Sequence, residues 1–213
     1  NHLLNTQYSV LNMLAYHKVE LLCTTDNATD DLHYHKQISS TNHTLKVYPA
    51  FRPDALLDFL NASWQNEKEK LSVATNSSIN NLDDFLAALQ NRIEFFHENN
   101  CRLSDHGLEF MSSLANENPS LVFHDLLYKK NISHHQSQTL KTYVLLELCN
   151  MYHTKKWVQQ FHVGALRNNN SRLMQTIGKD AGTDSIGDFS QAVNLSAFLD
   201  VLDKENKLAK TIL

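Results

Sequence analysis

Residues 157–170 read Trp-Val-Gln-Gln-Phe-His-Val-Gly-Ala-Leu-Arg-Asn-Asn-Asn, an apolar, strand-like stretch that opens into a polar loop. Trp157, Val158, Phe161 and Val163 suit a core, and Gly164 lets backbone approach a ligand closely. His162 and Arg167 then arrive together with the amides of Asn168 and Asn169. An arginine fork holds a carboxylate through two parallel hydrogen bonds, and each Asn amide offers donors and an acceptor. That inventory fits an acidic, hydroxyl-rich molecule such as a sugar acid. The same residues can also form a surface loop with a solvated arginine and turn-forming asparagines.

Two other stretches become polar in the same way: Cys101-Arg-Leu-Ser-Asp-His-Gly107, and 45–54, which ends Phe51-Arg52-Pro53-Asp54. Arg52 and Arg167 suit a carboxylate or a developing negative oxygen, whereas Asp105 and His162 can orient hydroxyls or relay protons. Each has a plainer reading. Asp105 can cap a helix beginning near Gly107, His162 can be a core histidine bonded to backbone, and Arg52 can pair with Asp54. His106 reads as a supporting residue. Two histidine pairs, His33/His35 and His134/His135, are weak metal candidates: residues two apart in a helix point apart, and the second pair falls at a helix start.

The elements that must position these groups alternate. Apolar runs at Val19–Thr24, Leu45–Ala50, Cys101–Ser104, Trp157–Val163 and Leu208–Leu213 are separated by helical spacing, which predicts an α/β fold of about five parallel strands with helical crossovers. The clearest helix is 82–98, where Leu82, Phe85, Leu86, Leu89, Ile93 and Phe96 share a face and Asn81 can cap the start. Further helices are expected at Asp30–Ser39, after Pro53, after Asn118-Pro119, near Ser137–His153 and at Phe189–Asp203. Residues 108–154 form a helical insertion, and 61–80, rich in Asn, Ser, Glu and Lys, reads as a mobile surface excursion, with a capped helix over part of it as the alternative. In a (β/α)8 barrel of the TIM type, functional side chains gather where strands deliver their C-terminal ends. A doubly wound open sheet is the alternative.

Together with Cys23-Thr24-Thr25-Asp26, Asp184-Ser185-Ile186-Gly187-Asp188 and the run from Asp203 to Leu213, these motifs resemble uronate (glucuronate) isomerase of the amidohydrolase superfamily. The most specific parts are His162-x-Gly-Ala-x-Arg167-Asn-Asn-Asn, Ser104-Asp105-His106-Gly107 and Arg52-Pro53-Asp54, in that family's order. The resemblance implies a (β/α)8 barrel of which residues 1–213 supply a central portion, without its N- and C-terminal strands. It also implies interconversion of D-glucuronate with D-fructuronate, and of D-galacturonate with D-tagaturonate, with Arg52, Asp105, His162 and Arg167 catalytic. Arg52, Arg167, Asn168 and Asn169 would bind the uronate. A divalent metal, zinc first among the candidates, is implied for the intact enzyme, with its ligands missing from this chain, so the chain alone is expected to be inactive. A homo-oligomer is compatible with the resemblance. A metal-dependent hydrolase of the superfamily and a non-catalytic sugar-acid binding module are the competing readings.

Composition agrees with a folded protein: 42% of the 213 residues are hydrophobic and 20% charged. A formal net charge of −4, with basic residues only in short pairs such as Lys129-Lys130 and Lys155-Lys156, argues against a nucleic-acid surface. No apolar run reaches the ~18–20 residues that span a bilayer, and Asn1-His-Leu-Leu-Asn5 lacks the layout of a signal peptide. Cys23, Cys101 and Cys149 suit reduced thiols in the cytoplasm. Against this stand Asn-x-Ser/Thr sequons, among them Asn42 and Asn169, but a glycan on Asn169 would block the candidate site.

Overall fold

A computed structural model describes residues 8–41, 45–113, 117–128, 130–179 and 181–213. Asn1–Asn5, the Asn42 sequon and Lys129 lie outside the described residues. In chain order, α1 (Val10–Tyr16), β1 (Leu21–Asn27), α2 (His33–Ser39) and β2 (Lys46–Arg52) come first. Three helices, α3 (Asp54–Leu57), α4 (Trp64–Thr75) and α5 (Leu82–Glu98), lead to β3 (Leu103–Leu108). Next come α6 (Pro119–Leu127), α7 (His134–Thr154) and β4 (Val158–Val163). The described chain finishes with β5 (Ala165–Leu166), α8 (Ser171–Thr176), β6 (Ser185–Ile186), α9 (Ala192–Lys204) and β7 (Lys210–Ile212).

Five strands form one parallel sheet in the order β1-β2-β3-β4-β7. The strands follow chain order because each crossover returns the chain beside its last strand, which is the connectivity of a barrel sector rather than of a sheet that reverses direction. The expected α/β fold therefore stands. A two-stranded antiparallel ribbon, β5-β6, was not anticipated.

The core lies between one face of the sheet and the helices. Phe51 packs edge-on to Phe96, and Tyr152 stacks on Trp157, all fully or almost fully buried. A second aromatic group, Phe59, Trp64, Phe85 and Phe123, joins the turn after α3 to α4, α5 and α6. The opposite face of the sheet stays open: Leu21 and Ile212 are about half exposed and Cys23 is exposed.

Helix α5 has the bounds read from its periodicity, and the Asn81 side chain accepts from Asp84 N as its cap. Asn118 likewise caps α6, whose first residue is Pro119. Within residues 61–80 the helical one of the two readings is realised, in place of a mobile excursion. Their polar composition hides a three-turn helix, α4, that buries only Trp64 and Leu71, two residues one heptad apart. Trp64 Nε1 donates to Leu56 O, so one tryptophan anchors a segment whose average hydropathy is low. Strand β3 also runs farther than its apolar letters suggest, through Asp105, His106 and Gly107, because β4 pairs with all of them.

Candidate functional site

The ends of β2, β3 and β4 bring Arg52, Asp105 and His162 to one mouth on the open face. Alternation along β3 puts Asp105 and Gly107 on that face and Ser104 and His106 on the helix side. Asp105 is the centre of the cluster. Its Oδ2 accepts from Thr25 Oγ1 at 3.1 Å and from Arg52 Nη1 at 3.4 Å, and its Oδ1 lies 2.7 Å from His162 Nε2. That last contact is within ion-pair reach, but it is not a hydrogen bond of standard geometry, so Oδ1 is buried without one. The Gln160 amide lies 3.0 Å from the same His162 nitrogen. Asp105 is 7% exposed and His162 48%, so a buried carboxylate backs a solvent-facing ring.

Arg167 reaches the same mouth from β5 and its following loop. A Cβ placed on Gly107 would lie 2.5 Å from Arg52 Nη2 and 3.2 Å from Arg167 Nη2. Two guanidiniums therefore converge over a residue that has no side chain to keep them apart. Their charge is compensated locally. Arg52 Nε donates to Asp54 Oδ2 at 2.8 Å, and Arg167 Nη1 donates to Asp184 Oδ2 at 2.5 Å. Asp54 also accepts from Gly107 N at 2.8 Å. Burial alone would raise the Asp54 carboxyl, but His106, the Gly107 N–H and Arg52 outweigh it and hold the group down at about 2. Asp184 is likewise lowered, by the Asn168 N–H first and Arg167 second.

The structure brings Arg52, Asp105, His162 and Arg167 together. It excludes the helix-cap reading of Asp105, which lies inside β3, and the core-histidine reading of His162, whose ring is half exposed. The pairing of Arg52 with Asp54 is present beside its contact with Asp105, so those two readings were not exclusive. Asn168 and Asn169 act on the loop: Asn168 N donates to Asp184 Oδ1, and Asn169 Nδ2 donates to Ser185 Oγ. His33 pairs with Asp31 while His35 turns to Thr24 and Asp26, so the two rings point apart. His135 lies 2.9 Å from Glu117.

Three contributors, Thr25, Gln160 and Asp184, are given no role of their own in the reading of the sequence, whereas Asp54 is the expected partner of Arg52. Thr25 and Asp184 sit inside motifs that carried the resemblance, and Asp54 follows Arg52 by two, so spacing held the signal. Gln160 is marked only by its strand parity with His162. The cysteines offer no buried nucleophile. Burial pushes the Cys101 thiol up to about 12 and raises that of Cys149 further. Among the described residues no three His, Cys, Asp or Glu side chains cluster closely enough to hold a metal ion, so the divalent ion that the resemblance implies finds no ligand set there.

A parallel α/β barrel sector with paired cations at its strand ends is the class that fold and site define. The family model for glucuronate isomerase matches residues 1–213, and the chain belongs to that family. Uronate isomerase of Flavobacterium johnsoniae is 40% identical over 213 residues, covering 99% of this chain and 46% of that protein. The Cellvibrio japonicus enzyme of the same name is 39% identical over 218 residues and is also covered for 46% of its length. The crystal structure of uronate isomerase from Thermotoga maritima superposes with a TM-score of 0.85 at 28% identity, over 94% of this chain and 45% of the other. Glucuronate isomerase from Caulobacter crescentus, at 22% identity and a TM-score of 0.84, supports the fold alone. The chain thus spans about half the length of the curated relatives it matches.

Proposed function

We propose that residues 1–213 form the central portion of a single (β/α)8 barrel, with the helical insertion at 108–154, in an aldose–ketose isomerase acting on hexuronates. D-glucuronate and D-galacturonate are the aldose substrates, with D-fructuronate and D-tagaturonate as the ketoses. The observation that supports this reading is the convergence of Arg52, Arg167, Asp105 and His162 around Gly107. One guanidinium can take the uronate carboxylate while the other faces the oxygen that gains charge as the enediol forms. The reaction removes a proton from C2 and returns one to C1, while the hydroxyl proton on O2 is lost and O1 gains one. Asp105 and His162 stand where a hydroxyl proton can be held and passed. Asn168 and Asn169 set the loop that carries Arg167 and border the bound sugar. The divalent metal of the intact enzyme draws its ligands from outside the described residues. The setting is the cytoplasm.

Turnover is the test. The intact polypeptide carrying this chain should convert D-glucuronate to a ketose, read by the growth of the ketone product, while the purified 213-residue chain alone should show none. Release of an amine or acid from amide or ester substrates, with no isomerisation, would replace this reading with a hydrolase.

A further inference from the structure

The seam between β2 and β3 carries a pair of groups that substrate contact does not explain. These strands share one registered pair, Phe51 with Ser104, whereas β3 and β4 stay in register from Leu103 to Leu108. Beyond Ser104 the seam has no ladder, and Gly107 N donates across it to Asp54 Oδ2 instead. That oxygen also accepts from Arg52 Nε. The other carboxylate oxygen, Oδ1, lies 3.5 Å from Nδ1 of His106 on the helix side of the sheet. His106 is fully buried, its ring 5.7 Å from that of Tyr152 and 5.5 Å from that of Phe161, and neither ring nitrogen makes a hydrogen bond of standard geometry. An imidazole kept in an aromatic pocket, with a carboxylate as its near polar neighbour, calls for an explanation.

We propose that Asp54 and His106 are positioning residues, a carboxylate–imidazole pair that passes through the β2–β3 seam and fixes the Arg52 guanidinium over Gly107. The inference rests on the sugar-acid reading of the site and names what orients one of its two cations. Arg52 Nε donates to Asp54 at 2.8 Å, and its Nη1 donates to Asp105 at 3.4 Å. Of these two carboxylates Asp54 makes the shorter bond, so it constrains the plane of the fork more than Asp105 does. His106 in turn faces the oxygen of Asp54 that Arg52 and Gly107 leave over. It favours the ionised carboxylate that a charge-assisted bond to Arg52 needs, in accord with the depressed Asp54 carboxyl.

Two measurements on the intact polypeptide separate this pair from mere core packing. With 15N-arginine labelling, the Arg52 Nε–H signal, assigned by its loss in Arg52→Lys, should exchange slowly with water. In His106→Phe, which keeps ring volume, and in Asp54→Asn, that exchange should speed up by about tenfold or more, the expectation for losing a charge-assisted bond. His106→Asn, whose amide nitrogen mimics Nδ1, should restore slow exchange. In turnover of D-glucuronate, His106→Phe should raise KM by about tenfold and change kcat by less than about threefold, because it loosens a carboxylate anchor. Equal exchange in wild type and His106→Phe, or equal behaviour of the Phe and Asn variants, would overturn the proposal. If His106→Phe does not fold, Asp54→Asn decides the matter by the same signal. Should the wild-type protein turn over no uronate, the functional reading fails while the exchange measurement still judges the pair.

Discussion

The two arginines of the mouth are held in contrasting ways. Arg52 is the last residue of a central strand, and its partner Asp54 is tied to backbone at Gly107 and backed by a buried imidazole. Arg167 follows a two-residue strand, and its partner Asp184 sits in the loop that enters β6, one-third exposed and bonded to Asn168 N. One cation is built into the sheet, and the other is delivered by a ribbon. The difference teaches that the same guanidinium chemistry can serve as a fixed anchor or as an adjustable clamp, depending on what carries the counter-ion. A fixed charge orients a ligand without reorganising, whereas a ribbon-borne charge can follow a ligand that changes shape.

The largest effects should come from removing either cation. Arg52→Ala and Arg167→Ala in the intact polypeptide should each lower kcat/KM by about 10²–10³-fold, the scale of losing a positioned donor. Equal losses that appear only in KM would make both simple anchors and dissolve the contrast. A smaller effect is expected from Gly107→Ala, whose Cβ would sit 2.5 Å from Arg52 Nη2 and 3.2 Å from Arg167 Nη2. The obstructing atoms are ends of flexible side chains, so the fold should persist with an unchanged circular dichroism spectrum while kcat/KM falls by about tenfold. An unchanged rate would mean that the two cations need not meet over this glycine.

Acid should distinguish the counter-ions most gently. Asp54 has its carboxyl depressed to about 2, against roughly 3.9 in an unfolded chain, so its stabilising contribution is complete above about pH 4 and disappears as pH falls through about 2. Asp54→Asn should therefore flatten that limb of the denaturation-midpoint profile, and Asp184→Asn should leave it nearly unchanged because its pair is exposed and screened. A wild-type profile already flat between pH 4 and 2 would count against the anchored carboxylate.

Much of this was legible in the letters. Helix α5 was, because six apolar residues at helical spacing and an Asn cap all point to one structure. Helix α4 was legible only as the second of two readings of 61–80, since a single tryptophan carries its docking and composition averages that signal away. The mouth was legible as three polar strand ends, and the resemblance placed them in one protein. The extent of β3 was harder to read: Asp105, His106 and Gly107 look like a turn until a neighbouring strand supplies their hydrogen bonds.

Local physics fixed the residue types: guanidiniums, a carboxylate and an imidazole each placed where an apolar run ends, and the alternation that orders β strands with α crossovers. Periodicity is a property of the chain itself, so no tertiary information was needed for it. That Arg52 also meets Asp105, and that Asp184 serves Arg167, was decided only in three dimensions. Arg52 chose both Asp54 and Asp105 because the β2–β3 seam opens beyond Ser104, and Arg167 joined it because Gly107 has no Cβ. Contacts between residues 50 and more positions apart depend on strand register and packing, which no local window of sequence encodes.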